Sequence, residues 1–423
     1  MNRLNVTKGI LNTLLMLALT ATWGLPGWTL ADEPAPMAFC VGKVLTMNKD
    51  DRVINNAVVL VRDGKIERLG PAEEIEIPKE YQTIERPNHW LVPGLVEAHN
   101  HSAGSMMDLH DYVYLTNAGG MRTLPALLPE SADNKRSLAG GVTTAHMIPG
   151  SGNNHSGFGT LTKLAGKTVD EMLIKSPGSL KLSQAGNPER YWYGVARTFM
   201  YYNLRQTLEK AKAYHEAWKT YEDDPKSAEK PEFDIFWDDF RPVFAGKTIT
   251  LVHTQWYQVV MSTLDMMAKK LDMRVILGHS TFEAYMAAPL VKEYDNVYTS
   301  NGPRQIHFDR RKRKIMGNAA RWWQGGVRKL SVNTDAPVLP QEELPYQAAM
   351  ACYFGWKPYE ALRGITRISA EQLMLEDQVG SIGPGMDADL GLWTGDPIDP
   401  RSACEMTVVD GKIVYDAEVR REF

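Results

Sequence analysis

The chain has 423 residues, 43% hydrophobic and 23% charged, which is the composition of a folded protein large enough for a barrel or two domains. A formal net charge of −4 with no long basic run excludes the electrostatic footprint of nucleic-acid binding. The 3 cysteines, Cys40, Cys352 and Cys404, permit one disulfide at most and show no zinc-knuckle spacing.

The N-terminus differs from the rest. Arg3 and Lys8 precede an apolar stretch from Ile10 to about Leu25, and Thr29-Leu30-Ala31 offers a cleavage site, so residues 1–31 read as a secretory signal peptide. The stretch is shorter than the roughly 20 residues a spanning helix needs. The expectation is a periplasmic or secreted protein with no membrane segment after cleavage. Export permits a disulfide, and Cys40 and Cys404 could pair, but buried free thiols are the simpler expectation.

Residues 37–90 carry short strands, Val41 to Thr46 and Asn56 to Val61, with Asp63-Gly64 turning into Lys65-Ile66-Glu67-Arg68-Leu69. The same grammar returns in Thr407-Val408-Val409, Asp410-Gly411 and Lys412-Ile413-Val414-Tyr415. Two hairpins of one type at opposite ends predict one small β domain, a sandwich built from residues 37–90 and 376–423.

Between them, residues 91–375 alternate apolar runs with helical stretches, which predicts βα units. Candidate strands cover 91–98, 141–147, 159–164, 178–183, 248–253, 273–279, 296–301 and 329–334, the number that closes a (β/α)8 barrel. Residues 189–245 read as mostly helical, with a polar loop from Asp223 to Glu232.

The chemistry falls at strand ends. Val92-Pro93-Gly94-Leu95-Val96-Glu97-Ala98-His99-Asn100-His101 is a buried strand presenting 2 histidines on one face. Other strands end in His253, His279 and Asp335. In such a barrel the C-terminal strand ends share one mouth, so these residues would meet there. A single histidine at a strand end is usually a satisfied polar residue; repetition over several strands is harder to assign to chance. Four histidines and a carboxylate suit zinc or a similar divalent ion. His89, His110 and His215 read as loop or surface residues and His146 as structural. His155 and His307 fall near the mouth, where they could support ligands or touch substrate. Ala245-Gly246-Lys247-Thr248 fails as a phosphate loop because Arg241 stands where a glycine is needed, and no Gly-x-Ser-x-Gly is present.

On these motifs the chain resembles the metal-dependent amidohydrolase superfamily, in its imidazolonepropionase-related and prolidase-like branch. The similarity includes Val92-Pro93-Gly94, Glu97-Ala98-His99-Asn100-His101, Gly141-Val142-Thr143-Thr144, Asn333-Thr334-Asp335 and the run Ser381 to Leu390. It implies a hydrolase of C–N amide bonds in which Asp335 takes a proton from metal-activated water and passes it to the leaving nitrogen. It also implies that Lys181, on the fourth strand, is carboxylated and bridges 2 metals; without that modification Lys181 would be paired with an acid and the site would hold one ion. Some relatives carry an acid where this chain has Ala185-Gly186-Asn187-Pro188. Ring deaminases of the superfamily tend to carry a glutamate at the position of Trp256, so Trp256 favours peptide-like or N-acyl substrates, Xaa-Pro dipeptides among them. Arg304, beside His307, either clamps a substrate carboxylate or makes a structural salt bridge. The alternatives are a cyclic amide or imidazolone hydrolase and a barrel that binds metal or ligand without turnover. The partner is a small-molecule substrate, and the family's habit implies a homo-oligomer.

Overall fold

The structure, a computed structural model, describes residues 35–102, 119–184, 197–310 and 312–423. The signal peptide read in residues 1–31, His110 and the segment 185–188 lie outside the described residues.

Alternating β-branched residues build β1 (Met37–Leu45), β2 (Val53–Arg62), β3 (Lys65–Pro71) and β4 (Gln82–Pro93). Next come β5 (Leu95–Asn100), β6 (Val142–Met147), β7 (His155–Lys163), β8 (Leu173–Ser183), β9 (Ile249–His253), β10 (Val275–Gly278) and β11 (Val297–Asn301). A small hairpin, β12 (Ile306–Asp309) and β13 (Lys314–Gly317), precedes β14 (Leu330–Val332). The chain ends with β15 (Leu390–Trp393), β16 (Cys404–Val409) and β17 (Lys412–Asp416).

These strands make one 8-stranded sheet in the order β14-β11-β10-β9-β8-β7-β6-β5 and one 7-stranded sheet in the order β17-β16-β15-β4-β1-β2-β3. The first sheet is a nearly closed barrel. Among the described residues, the end of β5 meets the segment just past β14 at one bridge, Asn100 to Ala336, where the His101 N–H donates to the Ala336 carbonyl at 2.8 Å. The second sheet draws strands from both ends of the chain. Both Asp-Gly turns form, with Asp63, Gly64, Asp410 and Gly411 all at positive φ, the geometry of the tight turns that asparagine, aspartate and glycine tolerate.

Two expectations need correction. The run 91–98 is not one strand: it divides at Gly94, so β4 pairs with β15 in the terminal sheet while β5 opens the barrel. A Cβ on Gly94 would stand 2.2 Å from Thr143 Oγ1, so glycine is required where the chain passes from one sheet to the other. The barrel is also not wholly parallel, because β7 runs antiparallel to both β6 and β8. Only residues 148–154 separate β6 from β7, and a parallel crossover needs a dozen or more residues.

A large cluster of buried apolar residues, including Leu95, Val142, Val252, Val275 and Trp322, packs barrel strands and surrounding helices together. The helix Arg197–Asp223 buries Met200, Leu204, Thr207, Leu208 and Ala211, one stripe at helical spacing. Residues 224–234 after it form no helix or strand. All 3 cysteines are free.

Lys163, at the end of β7, ties the barrel to the terminal sheet. Its buried ammonium donates to Asp389 at 2.7 Å, Asp387 at 2.9 Å and Asp410 at 3.1 Å, and Asp387 also holds Lys65. Burial opposes the charge on Lys163, but attraction to Asp389, Asp410 and Asp387 outweighs it and raises the pKa above the ordinary lysine value. Replacing Lys163 with methionine leaves buried carboxylates uncompensated. The expected loss is about 3–5 kcal/mol of unfolding free energy, read by denaturant titration; a loss within experimental error would show that the node contributes nothing.

Candidate metal centre

The end of β5 places His99 and His101 on one face, with Glu97 on the same parity below them. All 3 side chains are buried. The His99 Nε2 lies 3.0 Å from Asp335 Oδ1, His101 Nε2 lies 3.3 Å from the same oxygen, and His279 Nε2 lies 4.0 Å from Oδ2. One ligand atom from each of His99, His279 and Asp335 falls within 4.8 Å of the others. The His253 ring stands 4.5 Å from that of His279, centre to centre, and His99 is also 4.5 Å from His279. His99, His101, His253, His279 and Asp335 therefore gather as the strand ends foretold.

The backbone aims these side chains. The Nδ1–H of His101 donates to the Ile148 carbonyl at 2.8 Å, and that of His279 to the Gly302 carbonyl at 2.9 Å. A carbonyl can only accept, so in both rings Nδ1 carries the proton and Nε2 presents its lone pair. His279 and Asp335 sit at φ 62° and 52°, left-handed conformations that cost about 1–3 kcal/mol each in non-glycine residues and re-aim the side chain after a strand.

Lys181 joins the same interior. β8 pairs in register with β9, Lys181 beside Leu251 and Ser183 beside His253, so Lys181 shares the inward face of His253 two residues below it. It is fully buried, and its Nζ has no hydrogen-bond partner among the described residues. Burial pushes its pKa down to about 7, partly resisted by Asp335. Its expected alternative, a salt bridge with an acid, is not made among the described residues. Burial, followed by proximity to Lys181 and His279, keeps His99 well below the ordinary histidine value; burial, followed by proximity to His279 and Lys181, does the same for His253. Asp335 is held well below the usual carboxylate value: burial alone would raise it, but His279 and His99 overcome that.

The donor set fits a divalent cation. Among the described residues, His99 Nδ1, His253 Nδ1 and Lys181 Nζ are all buried without partners, beside one ionised carboxylate and imidazoles kept neutral. Unpaired buried polar atoms cost free energy, and a cation is the partner this set lacks.

Glu97 has a role not assigned from sequence. Its Oε1 accepts from the His99 N–H at 3.0 Å, and its Oε2 accepts from Thr334 N–H at 3.0 Å and Oγ1–H at 2.8 Å. It joins the strand bearing His99 to the turn bearing Asp335. Burial raises its pKa to about 8. The signal was its spacing, two residues before His99 on one strand face. His146 is structural: it pairs with Ala98 O at 3.0 Å and with Ser179 Oγ. His155 stacks on Phe240 at 5.1 Å. Arg304 and His307 are not in the cluster; they line a separate recess with Trp256 and Phe282.

Glu97→Ala leaves 3 donors without an acceptor, and the expected cost is about 3 kcal/mol or more in denaturant unfolding, with Glu97→Gln intermediate. His155 provides a pH test. Burial lowers its pKa to about 3, so between the ordinary value of 6.5 and 3 the unfolded chain binds more protons than the folded one. Its contribution to stability is present above pH 6.5 and lost as pH falls towards 3. Stability measured from pH 7 to 4 should fall less steeply in His155→Gln than in the wild type; equal slopes would reject the assignment.

Comparison with known proteins agrees with this geometry. Residues 356–415 match the Amidohydrolase family. The chain is 22% identical over 406 residues to amidohydrolase tasK of Hapsidospora irregularis, covering 85% of this chain and 40% of that protein, so it spans less than half the length of that relative. It is 25% identical over 393 residues to the imidazolonepropionase of Herpetosiphon aurantiacus, covering 80% of this chain and 84% of that one. A crystal structure of an amidohydrolase from Thermotoga maritima superposes with a TM-score of 0.78 at 26% identity, covering 90% of this chain and all of that one. The strand-end histidines, the nearly closed barrel and these likenesses agree: the chain is similar over most of its length to proteins of the amidohydrolase superfamily.

Proposed function

We propose that the protein is a metal-dependent hydrolase of an amide C–N bond in a peptide-like or N-acyl substrate. The observation that carries the reading is the convergence of His99, His279 and Asp335 within 4.8 Å, with His101, His253 and Lys181 around them. His99, His101, His253, His279 and Asp335 would hold the metal, zinc or a similar divalent ion. Lys181, if carboxylated on its amine, would hold a second ion. The buried Nζ, without a partner among the described residues, supports this, since an unmodified ammonium would stand beside cations.

A divalent ion in this place supplies Lewis acidity towards the substrate carbonyl and makes bound water more acidic. The remaining work belongs to the chain. A carboxylate oxygen of Asp335 takes the proton from the attacking water and delivers it to the leaving nitrogen. Ile148 O and Gly302 O keep His101 and His279 in one orientation, and Glu97 keeps the Asp335 turn in place. Ring rotation or turn opening would otherwise displace the reacting groups, and small misplacements are costly in rate.

The likeness to an imidazolonepropionase over 84% of that protein supports a second reading, hydrolysis of a cyclic amide. Trp256 and the recess beside it favour the peptide-like class. A hydrolysis screen of dipeptides, N-acyl amino acids and cyclic amides on metal-loaded protein separates them.

Chelation should abolish turnover and zinc should restore it. Asp335→Asn is expected to lower kcat by about 10²–10⁴-fold. Metal analysis should find two equivalents in the wild type and no more than one in Lys181→Ala. A protein with no tightly held divalent ion, and with activity unchanged in His99→Ala, would overturn the proposal.

A further inference from the structure

A recess of about 410 Å³ is lined in part by residues that closely follow two of the candidate ligands in the chain. Its lining includes Trp256, Phe282, Arg304, Ile306, His307 and Phe308. Trp256 comes three residues after His253 and Phe282 three residues after His279, so both are hung from the turns that carry ligands, at most about 11 Å of chain away.

The aromatic wall is prearranged. The Trp256 and Phe282 rings stack 5.7 Å apart with planes 15° from parallel. The Arg197 guanidinium lies 4.5 Å from the centre of the Trp256 ring, and His307 meets Phe282 edge-on at 5.6 Å and 80°. Ile306 and Phe308, on β12, stay half exposed at the lip, at 50% and 54%. Rigid aromatic surface gives contact area at small entropic cost, and a recess of this size is in the usual range for small-molecule sites.

The charge of the recess has a sign. Arg304 and Arg310 line it with one acid, Glu283, a net positive charge. Arg304 is exposed, and its guanidinium makes no ion pair or hydrogen bond among the described residues, so the structural salt bridge that was its sequence alternative is not formed there. A guanidinium fork matches a carboxylate.

We propose that this recess is the subsite for the amino acid on the leaving-nitrogen side of the scissile amide, and that it selects a planar aromatic side chain together with a free α-carboxylate. The inference rests on the amide-hydrolase reading and names its substrate class. In a dipeptide or N-acyl amino acid the free carboxylate belongs to the residue that supplies the leaving nitrogen, one carbon away from it; the acyl residue has none. Aromatic wall and unpaired guanidinium therefore address the same half of the substrate. The aromatic ring packs on the Trp256–Phe282 wall and the carboxylate pairs with Arg304.

Two measurements on the metal-loaded full chain test this. The first is hydrolysis of the N-acetyl derivatives of L-phenylalanine, L-tryptophan, L-leucine, L-proline and L-alanine, and of N-acetyl-L-phenylalaninamide. The second is calorimetric binding of the products L-phenylalanine, L-alanine and L-phenylalaninamide, which needs no turnover. The expected result is at least a tenfold preference for phenylalanine over alanine and for the acid over the amide, in both measurements. Arg304→Ala should erase the discrimination between acid and amide while the aromatic preference stays. Phe282→Ala should do the reverse; Phe282→Leu serves if the alanine variant does not fold. Cleavage of the amides with no aromatic preference, or with acid and amide treated alike, would overturn the subsite and leave the hydrolase standing. Binding with these preferences but no cleavage of any amide would support the subsite and overturn the hydrolase. An unchanged acid-to-amide ratio in Arg304→Ala would overturn the role of that residue.

Discussion

The structure depends on how the first and last barrel strands meet. β5 and β14 do not share a regular ladder; β5 is joined to the segment just past β14 by one bridge and by the buried side chain of Glu97, which accepts from the His99 and Thr334 backbones and from the Thr334 hydroxyl. Closing a sheet on itself removes its exposed edges, and here the closure also sets the distance between His99 and Asp335. The same contact completes the barrel and assembles the candidate site. Burial raises the Glu97 pKa to about 8, so the joint sits close to its own titration, a strained choice that an apolar pair would avoid.

Around that joint the chain buries more polarity than it satisfies. Lys181, His99 and His253 hold buried nitrogens with no partner among the described residues, and His279 and Asp335 carry positive φ. Each feature opposes stability on its own, and their coincidence at one place is the physical argument for a cation. The Lys163 node shows the contrast: there a buried lysine is met by Asp387, Asp389 and Asp410, and the charges balance within the protein. One buried lysine is paired and joins two sheets; the other has no partner among the described residues and faces the histidines.

The barrel tolerates an irregular member. β7 reverses direction because its connection from β6 is too short for a crossover, yet its neighbours keep their places and β8 still presents Lys181 towards β9. The mouth is indifferent to the direction of one strand as long as the strands carrying ligands stay parallel. Specificity then falls to segments beyond the strand ends, Trp256, Phe282 and the β12–β13 hairpin.

Much was legible in the linear chain. Apolar runs located all 8 barrel strands, the repeated Asp-Gly turns located the hairpins of β2–β3 and β16–β17, and strand-end residues located His99, His101, His253, His279 and Asp335. These are local signals: hydrophobic period, turn chemistry and side-chain parity act over a few residues. What required the tertiary structure was relational. The direction of β7 depends on a loop length against a crossover rule, the break at Gly94 on the approach of Thr143, and the role of Glu97 on Thr334, 237 positions away. The state of Lys181 and Arg304, paired or unpaired, depends on which acids the fold brings near. Sequence determines which side chains can act as ligands; only the folded chain decides which of them are left without a partner, because that is a property of distances between residues remote in the chain.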